Sequence, residues 1–199
     1  MTGGQPPGAA RAVFLDRDGV LVPDLDYPPS PIDISLLAGA ADGARALSQA
    51  GFLLVVVTNQ PAVARGWCTE DDVRAVNLRL GDLLAAAGAP VADIRFCPHH
   101  PSANLPEYRA DCTCRKPRPG MLRAAAAHLA IDLGRSFMVG DRPSDVQAGS
   151  AAGCRTVQVR TGRHLDPPIQ SSETPVVRPP DHACPDLLAA SAWILAESA

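Results

Sequence analysis

The sequence predicts an α/β fold in which a Rossmann-like parallel sheet is covered by helices on both faces. Short apolar segments alternate along the chain with segments whose apolar residues recur at helical spacing. The apolar segments are 12–15, 52–57, 94–96, 137–139 and 156–159. This alternation is typical of βαβ units, which build parallel sheets.

Helices are predicted between the strands and at the end of the chain, over 40–50, 73–87, 121–129, 144–152 and 187–195. Gly51, Gly88 and Gly153 follow three of them, where a residue that accepts positive φ favours helix termination. Thr69, with Asp72 three residues later, indicates a capping pair before the second helix. We expect residues 1–11 to be flexible, 12–199 to form a single domain, and the Pro-rich segment 163–185 to be a loop.

Composition excludes several classes of protein. Hydrophobic residues make up 46% of the chain and charged residues 20%, so the chain should fold. The net charge of -3 gives no basic surface for nucleic acid or anionic membrane. The apolar run 52–57 is far shorter than the roughly 20 residues of a spanning helix, and residues 1–11 lack the apolar stretch of a signal peptide. We therefore expect a cytoplasmic protein, and a monomer.

Reactive polar residues follow three of the predicted strands. Asp16-x-Asp18-Gly19 follows the first strand, Thr58-Asn59 the second and Gly140-Asp141 the fourth. Asp-x-Asp-Gly alone is often only a tight turn. Because the carboxyl ends of parallel strands share one edge of the sheet, where ligands bind, the coincidence of three such sites favours an active site.

The residue types suit phosphate ester hydrolysis, which is extremely slow without a catalyst. A carboxylate nucleophile such as Asp16 divides the reaction through an aspartyl-phosphate, and Asp18 supplies a second acid for proton transfer. Carboxylates from separate strands, Asp16 and Asp141, are typical ligands of Mg²⁺. Thr58 and Asn59 can donate hydrogen bonds to the phosphoryl group, and a lysine is then needed for the remaining charge.

These motifs resemble those of the haloacid dehalogenase-type phosphatases in order and spacing. The matching positions are Asp16, Asp18, Gly19, Thr58, Lys116, Gly140, Asp141 and Asp145. The resemblance implies a minimal cap, Asp16 as nucleophile, Asp18 as acid/base, and Lys116 with Thr58 on the phosphoryl group. It also implies a Mg²⁺ site formed by Asp16, Asp141 and the Asp18 backbone carbonyl. Whether Asp145 binds the metal or supports its neighbours stays open.

A second metal site is predicted from four clustered ligand residues. Cys97, His99, Cys112 and Cys114 form two close pairs separated by residues 100–111. Four Cys and His ligands are typical of structural zinc. His100 is an alternative ligand, but Cys-x-His mirrors Cys-x-Cys, which favours His99. The remaining cysteines, Cys68, Cys154 and Cys184, are interpreted as packing residues.

The zinc-clipped loop, with the Arg115-Lys116 segment behind it, is similar to that of the heptose-1,7-bisphosphate 7-phosphatases. The similarity runs from Val13 to Gly162. It implies removal of the C7 phosphate of a small sugar bisphosphate in nucleotide-activated heptose synthesis. It also implies substrate contacts by Asp24, Tyr27, Asn59, Gln60, Arg115 and Arg142. Pro61-Ala62 departs from the usual Ser-Gly, which leaves the shape of that phosphate-facing loop in question.

Other functions would share some of these residues. Histidinol-phosphate phosphatases share the motifs and the zinc clip, but their clip loop is typically much shorter. A polynucleotide phosphatase should show a basic groove, and a DNA-binding zinc module should show a basic helix beside its metal site. A catalytically silent, zinc-stabilised binding module would be favoured by loss of Asp16 or Asp18, and both are present.

Overall fold

Six parallel strands form the centre of the fold in the computed structural model of the chain, which describes residues 9–25, 30–166 and 178–198. The strands are β1 (Ala12–Leu15), β2 (Leu53–Asn59), β3 (Val91–Cys97), β4 (Phe137–Gly140), β5 (Arg155–Val159) and β6 (His182–Cys184). Their spatial order is β3-β2-β1-β4-β5-β6, and all neighbours are parallel. The order reverses at β1, so a crevice opens where β1 and β4 end.

Helices cover both faces of this sheet, which confirms the predicted fold class. The helices are α1 (Ala40–Gln49), α2 (Pro61–Ala64), α3 (Glu70–Ala86), α4 (Gly120–Leu129), α5 (Pro143–Ala152) and α6 (Leu187–Ala196). Val13 and Leu15 of β1 pack into a core shared with α1, α3 and α6. Ala12 and Phe14 point the other way, into a core shared with α4 and α5. Successive strand residues face opposite sides, so a strand buried on both faces reads as a continuous apolar run.

The start of α3 confirms the predicted capping pair. Thr69 Oγ1 accepts a hydrogen bond from Asp72 N at 3.1 Å, and Asp72 Oδ2 accepts one from Thr69 N at 2.8 Å. These two bonds satisfy backbone donors that the first helical turn leaves without partners.

The loop predicted over 163–185 is wrong at its C-terminal end. Residues His182–Cys184 form β6, which pairs with β5 along Val157–Val159. A three-residue strand is too short to show alternation, and the surrounding Pro and Ser residues favoured a loop. Residues 167–177 lie outside the described part of the chain.

The end of the segment predicted to be flexible, residues 10–11, contacts distant parts of the chain. Ala10 N donates to Ala130 O at 3.0 Å, and Ala10 O accepts from Asp132 N at 2.7 Å. The guanidinium of Arg11 lies 4.2 Å from the ring centroid of Phe52. These contacts join residues distant in sequence, so local composition could not indicate them. Residues 1–8 lie outside the described part of the chain.

The described residues form no separate cap domain, in agreement with the predicted minimal cap. Residues 17–25 and 30–39, between β1 and α1, contain only an isolated bridge between Asp18 and Val22. The segment between β3 and α4 contains only a short 3₁₀ turn at Pro106–Tyr108. No helix in the described ranges has the length and apolar character needed to cross a membrane.

Candidate active site

Three buried carboxylates converge where β1 and β4 end. Asp16 follows β1, Asp141 follows β4, and Asp145 lies in the first turn of α5. One oxygen of each carboxylate lies within 4.8 Å of those of the other two. The backbone holds this arrangement, because Asp16 N donates to Val139 O at 3.0 Å in continuation of the β1–β4 pairing.

Lys116 is buried against two of these carboxylates. Its Nζ lies 2.9 Å from Asp16 Oδ1 and 2.7 Å from Asp145 Oδ1, and it donates to Val57 O at 2.8 Å. Asn59 fixes the Lys116 backbone, since its Nδ2 donates to Lys116 O and its Oδ1 accepts from Lys116 N, each at 3.0 Å. The Asn59 side chain, predicted to contact substrate, thus binds the main chain of Lys116 at the edge of the cavity.

Both oxygens of Asp145 are engaged. Oδ2 accepts from Arg142 N at 2.9 Å, which caps α5, and Oδ1 forms the ion pair with Lys116. Asp145 is fully buried, so a free carboxylate there would be costly. Of the two interpretations left open by the sequence, these contacts favour the one in which Asp145 supports its neighbours.

Burial and mutual repulsion shift the ionisation of this cluster. Burial raises the pKa of Asp16 to about 6, although the charge of Lys116 offsets part of that effect. Burial, followed by the charges of Asp16 and Asp145, raises the pKa of Asp141 to about 7. For Lys116 burial alone would lower the pKa, but the charges of Asp145 and Asp16 outweigh it and raise the pKa. Among the described residues, Lys116 is the one cation that forms ion pairs with this cluster of three carboxylates.

One oxygen of this cluster fits a cation. Asp141 Oδ1 is buried and accepts no hydrogen bond from the described residues. Its other oxygen, Oδ2, accepts from Arg163 N at 2.6 Å. A buried acceptor without a partner is costly, and a hard cation with oxygen ligands would satisfy it.

The Asp18 carboxylate is held by a residue that the sequence analysis did not single out. Arg17 donates to it through a fork, Nε to Oδ1 at 3.1 Å and Nη2 to Oδ2 at 3.0 Å. Gln60 Nε2 donates to Asp18 Oδ2 at 2.7 Å and to Thr58 Oγ1 at 3.0 Å. Burial raises the pKa of Asp18, and the charge of Arg17 offsets part of that rise. Gln60, predicted to contact substrate, thus also orders Asp18 and Thr58.

The loop after β5 closes another side of the site, and no sequence pattern indicated it. Thr161 Oγ1 donates to Gly19 O at 2.5 Å, next to the bond from Arg163 N to Asp141. Gly19 has φ +80°, and a Cβ there would lie 2.6 Å from Asp141 Oδ2. A Cβ on Gly162 would collide with the same carboxylate. Both glycines therefore allow the backbone to approach Asp141.

A cavity of about 300 Å³ is lined by Asp16, Arg17, Asp18, Thr58, Gln60, Lys116 and Asp145, and its wall contains four further arginines: Arg65, Arg115, Arg142 and Arg163. Asp24 Oδ2 accepts from Arg142 Nη2 at 2.7 Å and from Arg163 Nε at 2.9 Å. Asp24 and Arg142, both predicted to bind substrate, thus contact each other at the cavity wall. Tyr27 lies outside the described residues.

The other two arginines of the cavity wall, Arg65 and Arg115, have different contacts. Arg115 Nη1 donates to His99 O at 3.2 Å, and the Arg65 guanidinium lies 4.8 Å from the ring centroid of Trp67. Neither is paired with a carboxylate among the described residues. Pro61 and Ala62, which replace the usual Ser-Gly, begin the short helix α2 and line the cavity between Gln60 and Arg65.

The four predicted zinc ligands lie together. Cys97 Sγ is 3.5 Å from Cys112 Sγ and 3.7 Å from His99 Nδ1, and Cys114 Sγ is 3.2 Å from both other sulfurs. These separations are too long for disulfide bonds, whose S–S distance is about 2 Å. They suit four ligands around one tetrahedral ion. His100 contacts Ser102 instead, with Nδ1 3.0 Å from Ser102 Oγ.

The cysteine and histidine cluster fixes the loop from which Arg115 and Lys116 enter the cavity. Cys97 ends β3, and Cys114 directly precedes Arg115. The intervening loop packs on α2, where Ala64 O accepts from Asn104 N at 3.0 Å and from Leu105 N at 3.1 Å. The cluster thus connects the edge of the sheet to one wall of the cavity.

Comparison with known proteins agrees with this geometry. A family model described as HAD-hydrolase-like matches residues 113–190. The D-glycero-beta-D-manno-heptose-1,7-bisphosphate 7-phosphatase of Escherichia coli (strain K12) is 41% identical over 162 residues, which cover 81% of this chain and 85% of that protein. The protein of the same name from Rhodopseudomonas palustris is 44% identical over 142 residues, covering 71% and 79%.

Solved structures give the same result. The D,D-heptose 1,7-bisphosphate phosphatase from B. bronchiseptica, complexed with magnesium and phosphate, superposes with a TM-score of 0.79 at 33% identity, covering 94% of this chain and 99% of that one. The chain therefore belongs to the haloacid dehalogenase-like phosphatases and, within them, to the family of the heptose-1,7-bisphosphate 7-phosphatases. The resemblance predicted from the motifs is confirmed.

Proposed function

We propose that the protein removes the C7 phosphate of D-glycero-D-manno-heptose 1,7-bisphosphate through an aspartyl-phosphate on Asp16, in cytoplasmic synthesis of nucleotide-activated heptose. The observation that carries this proposal is the placement of Asp16 against the buried cation Lys116, beside Asp18, in one cavity. The names of the relatives support the choice of sugar.

In the first step a carboxylate oxygen of Asp16 attacks the phosphorus atom, and the bond from phosphorus to the sugar oxygen breaks. Asp18 gives its proton to the departing oxygen. The raised pKa of Asp18 supports this role, because it allows the carboxyl to carry a proton at higher pH. Lys116 and Thr58 lie where they stabilise negative charge on the phosphoryl oxygens.

In the second step Asp18, now a carboxylate, takes a proton from water as the water oxygen attacks phosphorus. The bond between phosphorus and Asp16 breaks, which releases inorganic phosphate and restores both carboxyl groups. The overall reaction consumes one water molecule for each ester bond.

Two metal ions fit the residues present. Mg²⁺ would be held by Asp16, Asp141 and the Asp18 backbone carbonyl, and when bound it would counter the charge of the phosphoryl group. The unpartnered Asp141 Oδ1 and the raised pKa values of Asp16 and Asp141 support a cation there. One structural Zn²⁺ would be held by the four-residue cluster Cys97, His99, Cys112 and Cys114.

The charge of the cavity wall supports a bisphosphate substrate. Asp24 pairs with both Arg142 and Arg163, and Asp166 also pairs with Arg142. Arg65 and Arg115, in the same cavity wall, have no carboxylate partner among the described residues, and a second phosphate could accept their forked hydrogen bonds. We therefore assign the phosphate that is not hydrolysed to Arg115, with Arg65 beside it.

A phosphate-release assay over a substrate panel tests the proposal. We expect kcat/KM for the heptose 1,7-bisphosphate to exceed that for the heptose monophosphates and for histidinol phosphate by about tenfold or more. Preference for histidinol phosphate would favour that alternative, which shares the catalytic motifs but typically has a shorter zinc loop. Absence of phosphate release from every substrate, with Mg²⁺ present, would favour a silent zinc-stabilised binding module.

A further inference from the structure

A buried arginine and a buried asparagine lie beside Asp18. Arg17 is 2% exposed, and Asn77, on α3, is 5% exposed. Besides its two bonds to Asp18, Arg17 donates from Nη1 to Asn77 Oδ1 at 3.0 Å. All three guanidinium nitrogens of Arg17 therefore have an acceptor.

Asn77 is an unexpected residue at this position. It lies on the buried face of α3 together with Val73, Val76, Leu80 and Leu84. An apolar side chain would satisfy the core there, since a buried amide is costly unless it is hydrogen-bonded. The bond that the structure gives to Asn77 is the one to Arg17, so the amide links the acid/base site to α3.

We propose that Arg17 and Asn77 are positioning residues that hold the Asp18 carboxylate in the orientation needed for proton transfer. This inference rests on the proposed function. The fork of Arg17 fixes the plane of the Asp18 carboxylate, and the bond to Asn77 prevents the guanidinium from turning away. Proton transfer by a positioned side chain contributes about 10²–10⁴-fold to a rate, so loss of its alignment should be visible in turnover.

The two steps of the reaction separate this role from a merely structural one. An aryl phosphate such as p-nitrophenyl phosphate has a leaving group that departs without a proton, so the first step needs little help from Asp18. Hydrolysis of the phosphorylated Asp16 always needs a base. A misplaced Asp18 should therefore slow the second step for every substrate, and the first step only for a sugar phosphate.

The test uses Asn77→Leu, which keeps the volume and removes the acceptor. For the sugar bisphosphate we expect kcat to fall about 10- to 100-fold with KM within about threefold. With p-nitrophenyl phosphate we expect one equivalent of nitrophenolate to be released at near the wild-type rate, followed by slow turnover. Asn77→Asp, which keeps an acceptor for Arg17, should restore most of the activity.

Leu78→Ala, at the exposed neighbouring position, is the matched control. It should leave both the first release of nitrophenolate and the later turnover unchanged. Circular dichroism shows whether each variant folds. If Asn77→Leu does not fold, the same kinetic measurements on Arg17→Lys test the inference, since lysine keeps the positive charge but cannot form the two-nitrogen contact with Asp18. The inference would be overturned by a folded variant with wild-type kcat, or by one in which the first release of nitrophenolate and the later turnover are slowed equally. Either result would leave the proposed function intact. Absence of turnover in the wild type, with Mg²⁺, would overturn both.

Discussion

Without Mg²⁺ the protein should become less stable as the pH rises from 5 to 8. The pKa of Asp16 is raised to about 6 and that of Asp141 to about 7, chiefly because both groups are buried, against an ordinary value of 3.8. Between these values the folded state retains protons that the unfolded state has released. The free energy of unfolding therefore falls with increasing pH in this window.

The size of the effect follows from the same two carboxylates. A difference of one pH unit between folded and unfolded pKa is worth about 1.4 kcal/mol. From pH 5 to pH 8 the difference spans about one unit for Asp16 and two for Asp141, so together they should lower the free energy of unfolding by about 4 kcal/mol, as an order of magnitude. Since about 1 kcal/mol shifts the midpoint of a domain of this size by roughly 2–4 °C, a fall of about 10 °C is expected. Bound Mg²⁺ should reverse it, most strongly at pH 8.

The assay is thermal unfolding at pH 5, 6, 7 and 8, with and without Mg²⁺. Mg²⁺ should be removed by dialysis, because a strong chelator would also remove the zinc that we propose for the cysteine and histidine cluster. Asp141→Asn should reduce both the dependence of the unfolding temperature on pH and its increase on addition of Mg²⁺. Asp71→Asn removes an exposed carboxylate and should change neither. The reasoning would be refuted if the unfolding temperature depended on pH equally in wild type and Asp141→Asn. It would also be refuted if the increase in unfolding temperature caused by Mg²⁺ did not grow with pH.

Three further outcomes are expected. Asp16→Asn should lower kcat by about 10³-fold or more while circular dichroism shows an intact fold, and appreciable phosphate release would contradict the mechanism. Cys112→Ser should reduce zinc below one ion per chain in elemental analysis and lower the unfolding temperature, because structural zinc contributes folding free energy; an unchanged zinc content would exclude Cys112 as a ligand. Arg115→Ala should reduce kcat/KM for the bisphosphate about 10- to 100-fold and much less for monophosphates, and an equal loss for all substrates would place Arg115 at the reacting phosphate instead.

The sequence was sufficient for the parts of the site that follow strands. Asp16, Thr58 and Asp141 each come at or directly after the end of a buried apolar segment, and parallel pairing brings those ends to one edge. The cluster of Cys97, His99, Cys112 and Cys114 was predictable for a similar reason, since closing one loop is enough to bring its two short pairs of residues together. In both cases the local sequence pattern and a general rule of topology were enough to predict which residues lie together.

The parts that the sequence did not predict depend on contacts between distant residues. Arg17 and Asn77 are 60 residues apart, and Thr161 reaches Gly19 across 142 residues. Asn77 has the spacing of a core residue on α3, so its pattern alone could not indicate a contact with the active site. The side chains of Asn59 and Gln60 were predicted to face substrate, but their contacts with Lys116 and Asp18 are set by how the loops pack.

The distribution of charge in the cavity connects the cysteine and histidine cluster to substrate choice. A bisphosphate brings two doubly charged groups, and the one being hydrolysed must lie against Lys116 and Asp16. Asp24 pairs with Arg142 and Arg163, and Asp166 also pairs with Arg142, so these two arginines gain less from a second phosphate. Arg115 gains more: its backbone follows Cys114 of the cysteine and histidine cluster, and its guanidinium donates to the carbonyl of His99. Loss of the zinc proposed for this cluster should therefore weaken discrimination between bisphosphate and monophosphate before it weakens the chemistry at Asp16, because Lys116 also bonds to Asn59 and Asp145.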